Sequence, residues 1–261
     1  MAGLALRRCA ACGLWLSDLP PGPTSYAAVD DGAYLRSIGH VRRLQAEAIV
    51  RIAREHLPSG EWLDVGCGFG FVLDAAREAG FRVRGIEPDP KAAAIARERL
   101  GNVEQGLLDD RTAPADLLST LDVLEHLHDL DAFARLVKTK ARLLWVIKVP
   151  SSEGLFFRTA HLLRSRGAMR RLWQAGYEHP HTVYFDRRSL TRFLERNGFE
   201  VVAARYLAEV PARTAVDRLT LDGGMPRWMA MLAVPLFVAI NAIERLRGRS
   251  DALVVLARPR A

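Results

Sequence analysis

The sequence predicts a doubly wound α/β fold, and three observations carry the prediction. From Trp62 to Ala257, short apolar runs alternate with stretches of helical periodicity, the order that builds a mostly parallel sheet covered by helices. The first run, Trp62-Leu-Asp-Val65, passes into glycines at 66, 68 and 70 and then into Phe71–Ala79, which has helical spacing and is closed by Gly80. The second run, Phe81–Glu87, ends in an acid 21 residues after Gly66, where a strand-end carboxylate can accept both hydroxyls of a ribose.

At 261 residues the chain can bury one substantial core, with room for a small appendage. A hydrophobic share of 49% and a charged share of 26% place it among soluble globular proteins. The net charge of +7 comes mostly from arginine and fits an anionic partner, either a phosphorylated small molecule or an acidic lipid surface. With no nucleic-acid motif and no dense lysine run, nucleic acid is not expected. Three cysteines give no disulfide framework, and Cys67 sits inside the glycine turn. Met1–Arg8 has no apolar run long enough for a signal peptide, so the expected location is the cytoplasm, with a peripheral place on the inner face of the membrane left open.

In chain order, Cys9-x-x-Cys12-Gly reads as a knuckle-shaped turn. A structural zinc site needs four ligands, and His40 is remote, so no metal is assigned. Leu19–Thr24 is a proline-rich link. Tyr34–His56 has the period of a covering helix. Asp89 and Pro90 are an N-cap and first-turn proline for a helix ending at Gly101. Val103–Leu107, Ala115–Leu121 and Ala141–Val149 read as the third to fifth strands, with a short helix over Asp131–Val137. Ser189–Asn197 is a helix capped by Gly198, Phe199–Tyr206 the sixth strand and Ala252–Ala257 the last. The division is an N-terminal knuckle and link at 1–33 and a main domain at 34–261, interrupted by insertions at about 151–186 and 211–250. The first is long for a helix–strand connection, and such insertions are often functional lids.

The glycine turn offers backbone N–H groups to a ligand that any Cβ would push away, with a helix N-terminus behind it. A dinucleotide loop wants G-x-G-x-x-G, but here the third glycine comes one residue early, at Gly70. Asp64-Val-Gly-Cys-Gly-Phe-Gly70 resembles instead the loop of the class I S-adenosylmethionine-dependent methyltransferases. Asp122-Val-Leu-Glu-His126 resembles a motif that many of those enzymes carry at the cofactor's edge. The CxxCG knuckle, the link and the segment with Tyr26 and Tyr34 are similar to the bacterial sugar, quinone and cell-surface-precursor methyltransferases. So are Arg166-Gly167, Trp173, Pro180-His181 and Phe185.

The resemblance implies the seven-stranded version of the fold with its last strand antiparallel, and S-adenosylmethionine as cofactor. It implies that Asp64, Gly66, Cys67, Gly68 and Gly70 hold the methionine end, that Glu87 and Pro88 meet the ribose, that Asp109 meets the adenine, and that Asp122 and Val123 border the cofactor. The reaction implied is methyl transfer to a small-molecule, glycan or lipid-linked acceptor. An NAD-type oxidoreductase and a non-catalytic cofactor-binding partner protein are the alternatives.

His126 and His181 are the candidate bases, because an imidazole titrates near neutrality. Glu125 beside His126 is too few ligands for a divalent ion. Trp228–Ile240 is 13 residues without a charged side chain, too short to span a bilayer and interrupted by Pro235. It reads either as a helix packed over the sheet or capping the acceptor pocket, or as an in-plane membrane helix flanked by Arg227, Arg245, Arg247 and Arg249.

Overall fold

A computed structural model of the chain describes residues 4–20, 31–176, 179–221 and 225–260. A hairpin of β1 (Leu6–Arg8) and β2 (Trp15–Ser17) precedes the long helix α1 (Asp31–Arg54). The alternating core follows: β3 (Glu61–Val65), α2 (Phe71–Glu78), β4 (Arg82–Glu87), α3 (Pro90–Leu100), β5 (Val103–Gln105), β6 (Ala115–Leu121), α4 (Leu130–Lys140) and β7 (Ala141–Pro150). The first insertion holds α5 (Leu155–Leu162), α6 (Arg166–Leu172) and β8 (Val183–Tyr184). It is followed by α7 (Arg187–Arg196) and β9 (Phe199–Leu207). The second insertion holds α8 (Ala215–Leu221) and α9 (Arg227–Arg247), and β10 (Ala252–Pro259) ends the fold.

The main sheet has the order β5-β4-β3-β6-β7-β10-β9. β10, the last strand in the chain, runs antiparallel between β7 and β9; the remaining pairs are parallel. Alternate side chains of these strands enter opposite faces. Leu63, Leu118, Trp145 and Val255 pack toward one, Trp62, Leu117, Val146 and Val254 toward the other. The connections reverse direction between β3 and β6, and a crevice at that reversal is where open α/β sheets bind ligands.

Local chemistry explains most boundaries. Asp89 accepts a hydrogen bond from the Ala92 N–H at 2.7 Å, with Pro90 in the first turn. Asp186 and Ser189 form a reciprocal capping box at α7. β5 stops at Gln105, short of the expected Leu107, because it is an edge strand with three residues in register with β4; Leu107 then turns out to solvent.

The first insertion is helical and continuous with the N-terminus. β8 pairs with β2, and Phe157, Met169, Trp173 and Tyr184 share one apolar cluster with Leu4, Leu6, Trp15 and Leu19. Cys9 and Cys12 form the turn of that hairpin, closed by the Gly13 N–H on the Cys9 carbonyl. Residues 21–24 of the link, Tyr26, Tyr177 and Glu178 lie outside the described residues.

Candidate active site

The glycine loop leaves β3 and turns through left-handed backbone at Gly66 (φ 73°), Gly68 (φ 51°) and Gly70 (φ 81°). The three glycines differ in what a side chain would meet. A Cβ on Gly66 would strike Val123, and one on Gly70 would strike Leu100. At Gly68 it would meet nothing within 4 Å, so the loop opens toward free space there. Glu87 faces this opening from the end of β4. Its carboxylate accepts the Gly68 N–H at 2.6 Å and the Asp89 N–H at 2.9 Å. Burial raises the pKa of Glu87, against those two donors. Pro88, next to it, is half-buried, and Cys67 is buried, its thiol pushed well up by burial and by Asp64.

Asp64 lies at the end of β3, buried. Trp62 Nε1–H donates to Ser119 Oγ at 2.6 Å, and the Ser119 hydroxyl donates to Asp64 at 2.5 Å. Burial lifts the Asp64 carboxyl to about 7; the Ser119 bond opposes the rise and the neighbouring Glu87 adds to it. A buried pair of acids beside a cradle that a Cβ would fill suits a ligand bringing positive charge, hydroxyls and an adenosine. S-adenosylmethionine fits this set, through its sulfonium, its ammonium and its ribose. Asp109 sits apart. Its carboxylate closes its own turn, accepting from the Arg111 and Thr112 N–H groups at 2.9 and 3.0 Å.

The rest of the crevice is assembled from distant segments. Asp122, at the end of β6, has the left-handed φ of 56°, an unusual conformation for a residue with a Cβ. Its carboxylate is held by Lys148 Nζ at 2.7 and 2.8 Å and by Arg42 of α1. Lys148, buried, also pairs with Glu209 at 3.1 Å. Burial works against ionised Asp122, but Lys148 and Arg42 outweigh it and hold the carboxyl far below its ordinary range. Glu209 is lowered in the same way, chiefly by Lys148 against burial.

Beyond Asp122, a single 3-10 turn over Leu124–His126 brings three groups together. Glu125, His126 and His181 place ligand-type atoms within 4.8 Å of one another, and the two imidazoles stack edge-on with centroids 4.9 Å apart. The partners assign the tautomers. His126 Nδ1 faces the Pro180 carbonyl at 3.1 Å, which only accepts, so Nδ1 carries the proton. Tyr184 spends its hydroxyl proton on the Leu172 carbonyl at 2.9 Å, so His181 Nδ1, 3.3 Å away, donates to the Tyr184 oxygen. Both rings therefore turn a basic Nε2 elsewhere. Burial lowers the pKa of His126, and burial with the neighbouring His126 takes His181 to about 3. Both are neutral at pH 7. Glu125 is fully buried, neither carboxylate oxygen has a hydrogen-bond partner among the described residues, and burial raises its pKa well above normal. Considered with His126 alone, Glu125 lacks the ligands for a cation; the fold supplies a third in His181.

The structure thus gathers the glycine loop, Glu87 and Val123 on one side, and Asp122, His126 and His181 on the other. Arg42, Ser119, Glu125, Lys148 and Glu209 join them without having been assigned a role from sequence. Besides Glu125, which lies in the Asp122–His126 motif, Lys148 left a trace: a single charge within the apolar run Leu143–Val149 must find a partner if the strand is central.

A switch-point cradle of this build defines a class, the S-adenosylmethionine-dependent methyltransferases of Rossmann-like fold. The family model described as "Methyltransferase domain" matches residues 37–204, and the chain belongs to that family. Among curated relatives, the ubiquinone biosynthesis O-methyltransferase of Xylella fastidiosa is 33% identical over 106 residues, 34% of this chain and 42% of that protein. The enzyme of the same name from Methylocella silvestris is 30% identical over 116 residues, 40% and 44% of the two chains. The match thus spans less than half the length of these relatives. Among solved structures, the cyclopropane synthase MmaA2 of Mycobacterium tuberculosis has a TM-score of 0.59 at 14% identity, covering 92% of this chain and 98% of its own. The magnesium protoporphyrin IX methyltransferase of Synechocystis, solved with bound S-adenosylhomocysteine, has a TM-score of 0.54 at 15% identity, covering 87% and 97%. At such identities the likeness is one of fold.

Proposed function

We propose that this protein transfers the methyl group of S-adenosylmethionine to a hydroxyl oxygen of a small amphiphilic acceptor, free, glycan-linked or lipid-linked, on the cytoplasmic side of the cell. The observation that carries the reading is the pair of neutral imidazoles, His126 and His181, in contact with each other in the segment that follows Asp122, each with Nδ1 engaged so that Nε2 is the basic nitrogen. A sulfonium methyl needs no activation by the protein. The protein's task is to hold the acceptor oxygen in line and to accept its proton as the C–O bond forms. His126, the less buried of the two, is the proton acceptor; His181, locked by Tyr184, packs against it and fixes its plane. Glu87 and the Gly68 turn hold the cofactor, and the Lys148–Asp122–Arg42 cluster closes the wall between the two halves. The names of the curated relatives support an oxygen acceptor.

The test is transfer of labelled methyl from S-adenosylmethionine into hydroxylated aromatic and lipid-extract fractions. Label should enter an acceptor that loses reactivity when its hydroxyl is blocked. Label found only in nitrogen- or carbon-methylated products would overturn the oxygen assignment, and no label with any fraction, despite cofactor binding, would favour a non-catalytic partner protein.

A second reading has one observation behind it, the Glu125 carboxylate buried without a partner among two imidazoles. A divalent cation held by Glu125, His126 and His181 would satisfy that carboxylate and orient an acceptor hydroxyl. Activity abolished by chelator and restored by a divalent metal would favour it; activity indifferent to chelator would remove it.

A further inference from the structure

The second insertion presents a surface of inverted polarity. In α9, Ala230, Phe237 and Glu244, seven residues apart, are buried and mark the side that faces the domain. The remaining sides carry Trp228 (64% exposed), Met231 (59%), Leu232 (73%), Leu236 (61%) and Val238 (52%). Between Arg227 and Glu244 no side chain of the helix is charged. A contiguous apolar surface of this kind on a soluble domain marks a contact site. It also removes burial from the sequence readings of this stretch: the helix is not packed into the core.

We propose that the outward sides of α9 dock on the surface of a phospholipid bilayer with anionic headgroups. Three features select that occupant. The first is shape. A second copy pairing through this helix would cover one seam, whereas the apolar residues here lie on several sides of a protruding helix, which a fluid lipid surface can envelop and a helix–helix seam cannot. The second is charge. Exposed Arg227 and Arg245 bracket the apolar stretch where they would meet headgroups, Trp228 sits at the junction where aromatic rings favour an interface, and the chain carries +7 overall. The third is tethering. Asn241 accepts the Ala212 N–H at 3.0 Å and donates to the Val210 carbonyl at 3.3 Å, while Glu244 accepts from the Leu155 N–H at 3.0 Å and the Ser250 hydroxyl at 2.5 Å. The C-terminal third of α9 is thereby fixed to the domain.

α9 has 21 residues, not the 13 of the apolar run read from sequence, and is long and apolar enough to cross a membrane, but the same tethering argues against a spanning helix. At its other end the Met225 N–H bonds the Leu219 carbonyl of α8, a helix of only 7 residues packed along α9. About 10 Å of α8 cannot carry the chain back across a hydrocarbon core of about 30 Å. The helix therefore lies in the interface plane, with the domain itself as its polar side. Docking has a consequence for the site: Val210, held by Asn241, follows Glu209, the partner of Lys148. The bilayer would thus lie next to the segment that forms the acceptor wall. The docking claim does not depend on the acceptor's identity.

The full-length protein is tested by flotation with vesicles of phosphatidylcholine alone and of phosphatidylcholine mixed with phosphatidylglycerol, at low and moderate salt. It should float with the mixed vesicles, less so as salt rises. Leu232→Glu with Leu236→Glu should leave it at the bottom, with the circular dichroism spectrum and the calorimetric affinity for S-adenosylhomocysteine unchanged. Arg227→Gln and Arg245→Gln should each weaken partitioning about five-fold at low salt. Wild-type protein that stays at the bottom at every salt overturns the proposal. So does equal flotation with both vesicle types at every salt, or a lipid-indifferent dimer that the leucine variant dissociates. Cofactor affinity is read separately, so loss of the methyltransferase reading would show there and not in the gradient.

Discussion

The cofactor half of the site and the half around Asp122 and the two histidines, which we propose takes the acceptor, are built in opposite ways. The cofactor half is local: Asp64 through Gly70 is seven consecutive residues, and Glu87 lies on the adjacent strand in register with it. The acceptor half joins Arg42 of α1, Asp122 after β6, Lys148 within β7, His181 before β8 and Glu209 after β9. A ligand common to a whole class can be held by a short piece of backbone, whose geometry depends on glycines and a helix start. An acceptor pocket has to be shaped by side chains that meet only once the chain has folded. Perturbing the two halves should therefore separate cofactor binding from stability and turnover.

The largest expected effect falls on the acceptor half and is structural. Lys148→Met removes the buried cation between Asp122 and Glu209 and leaves the two carboxylates to Arg42. Breaking a buried ion pair from one side costs roughly 3–5 kcal/mol. Denaturant unfolding of apo protein should show a loss of that order; a midpoint unchanged from wild type would mean that the cluster is solvated. The wall it forms should be lost along with the stability.

On the cofactor half the largest effect belongs to Gly68→Val. A β-branched residue at φ 51° is strained, and its methyls enter the open space before the loop. Binding of S-adenosylhomocysteine should fall by about a hundredfold or more, since strain and steric exclusion act together. Glu87→Ala should cost less, about tenfold or somewhat more, for charge-assisted hydrogen bonds of roughly 1.5–3 kcal/mol. Near-wild-type affinity in both variants would place the cofactor elsewhere.

That division also describes what was legible beforehand. The alternation of strands and helices, the caps at Asp89 and Gly101 and the glycine loop could all be read, because each is encoded within about twenty consecutive residues; the reversed last strand came only with the family resemblance. The helices of the first insertion could not be read: α5 and α6 are short and stabilised by the N-terminal hairpin, a partner some 150 residues away. His126 and His181 were singled out separately, yet their adjacency, and the addition of Glu125, depends on the Thr182 N–H bonding the Glu125 carbonyl at 2.7 Å. Asp109 shows the reverse case, an acid at a suggestive position whose oxygens its own turn employs.

A smaller effect sharpens the electrostatics of the cofactor half. Asp64 in the free protein has its carboxyl raised to about 7, against an ordinary value of 3.8. Between those values the folded state holds a proton that the unfolded state has lost, so apo stability falls as pH rises through this window. A ligand bringing positive charge favours the ionised form and expels that proton. Affinity for S-adenosylmethionine should therefore rise several-fold from pH 6 to 8 and level off above. Asp64→Asn should flatten the profile; a wild-type profile already flat would show that the cofactor's charge does not reach Asp64.

The most direct measurement pairs two numbers on one variant, His126→Ala: calorimetric affinity for S-adenosylhomocysteine, and single-turnover methyl transfer to an acceptor that the wild-type protein methylates. Affinity should remain within about two-fold of wild type, because no hydrogen bond of His126 reaches the glycine loop or Glu87 among the described residues. Transfer should slow by about a hundredfold or more, the usual scale of a positioned base, and the loss should shrink at high pH, where the acceptor ionises unaided. A variant that binds and transfers like wild type would contradict the assignment of proton transfer to the acceptor half.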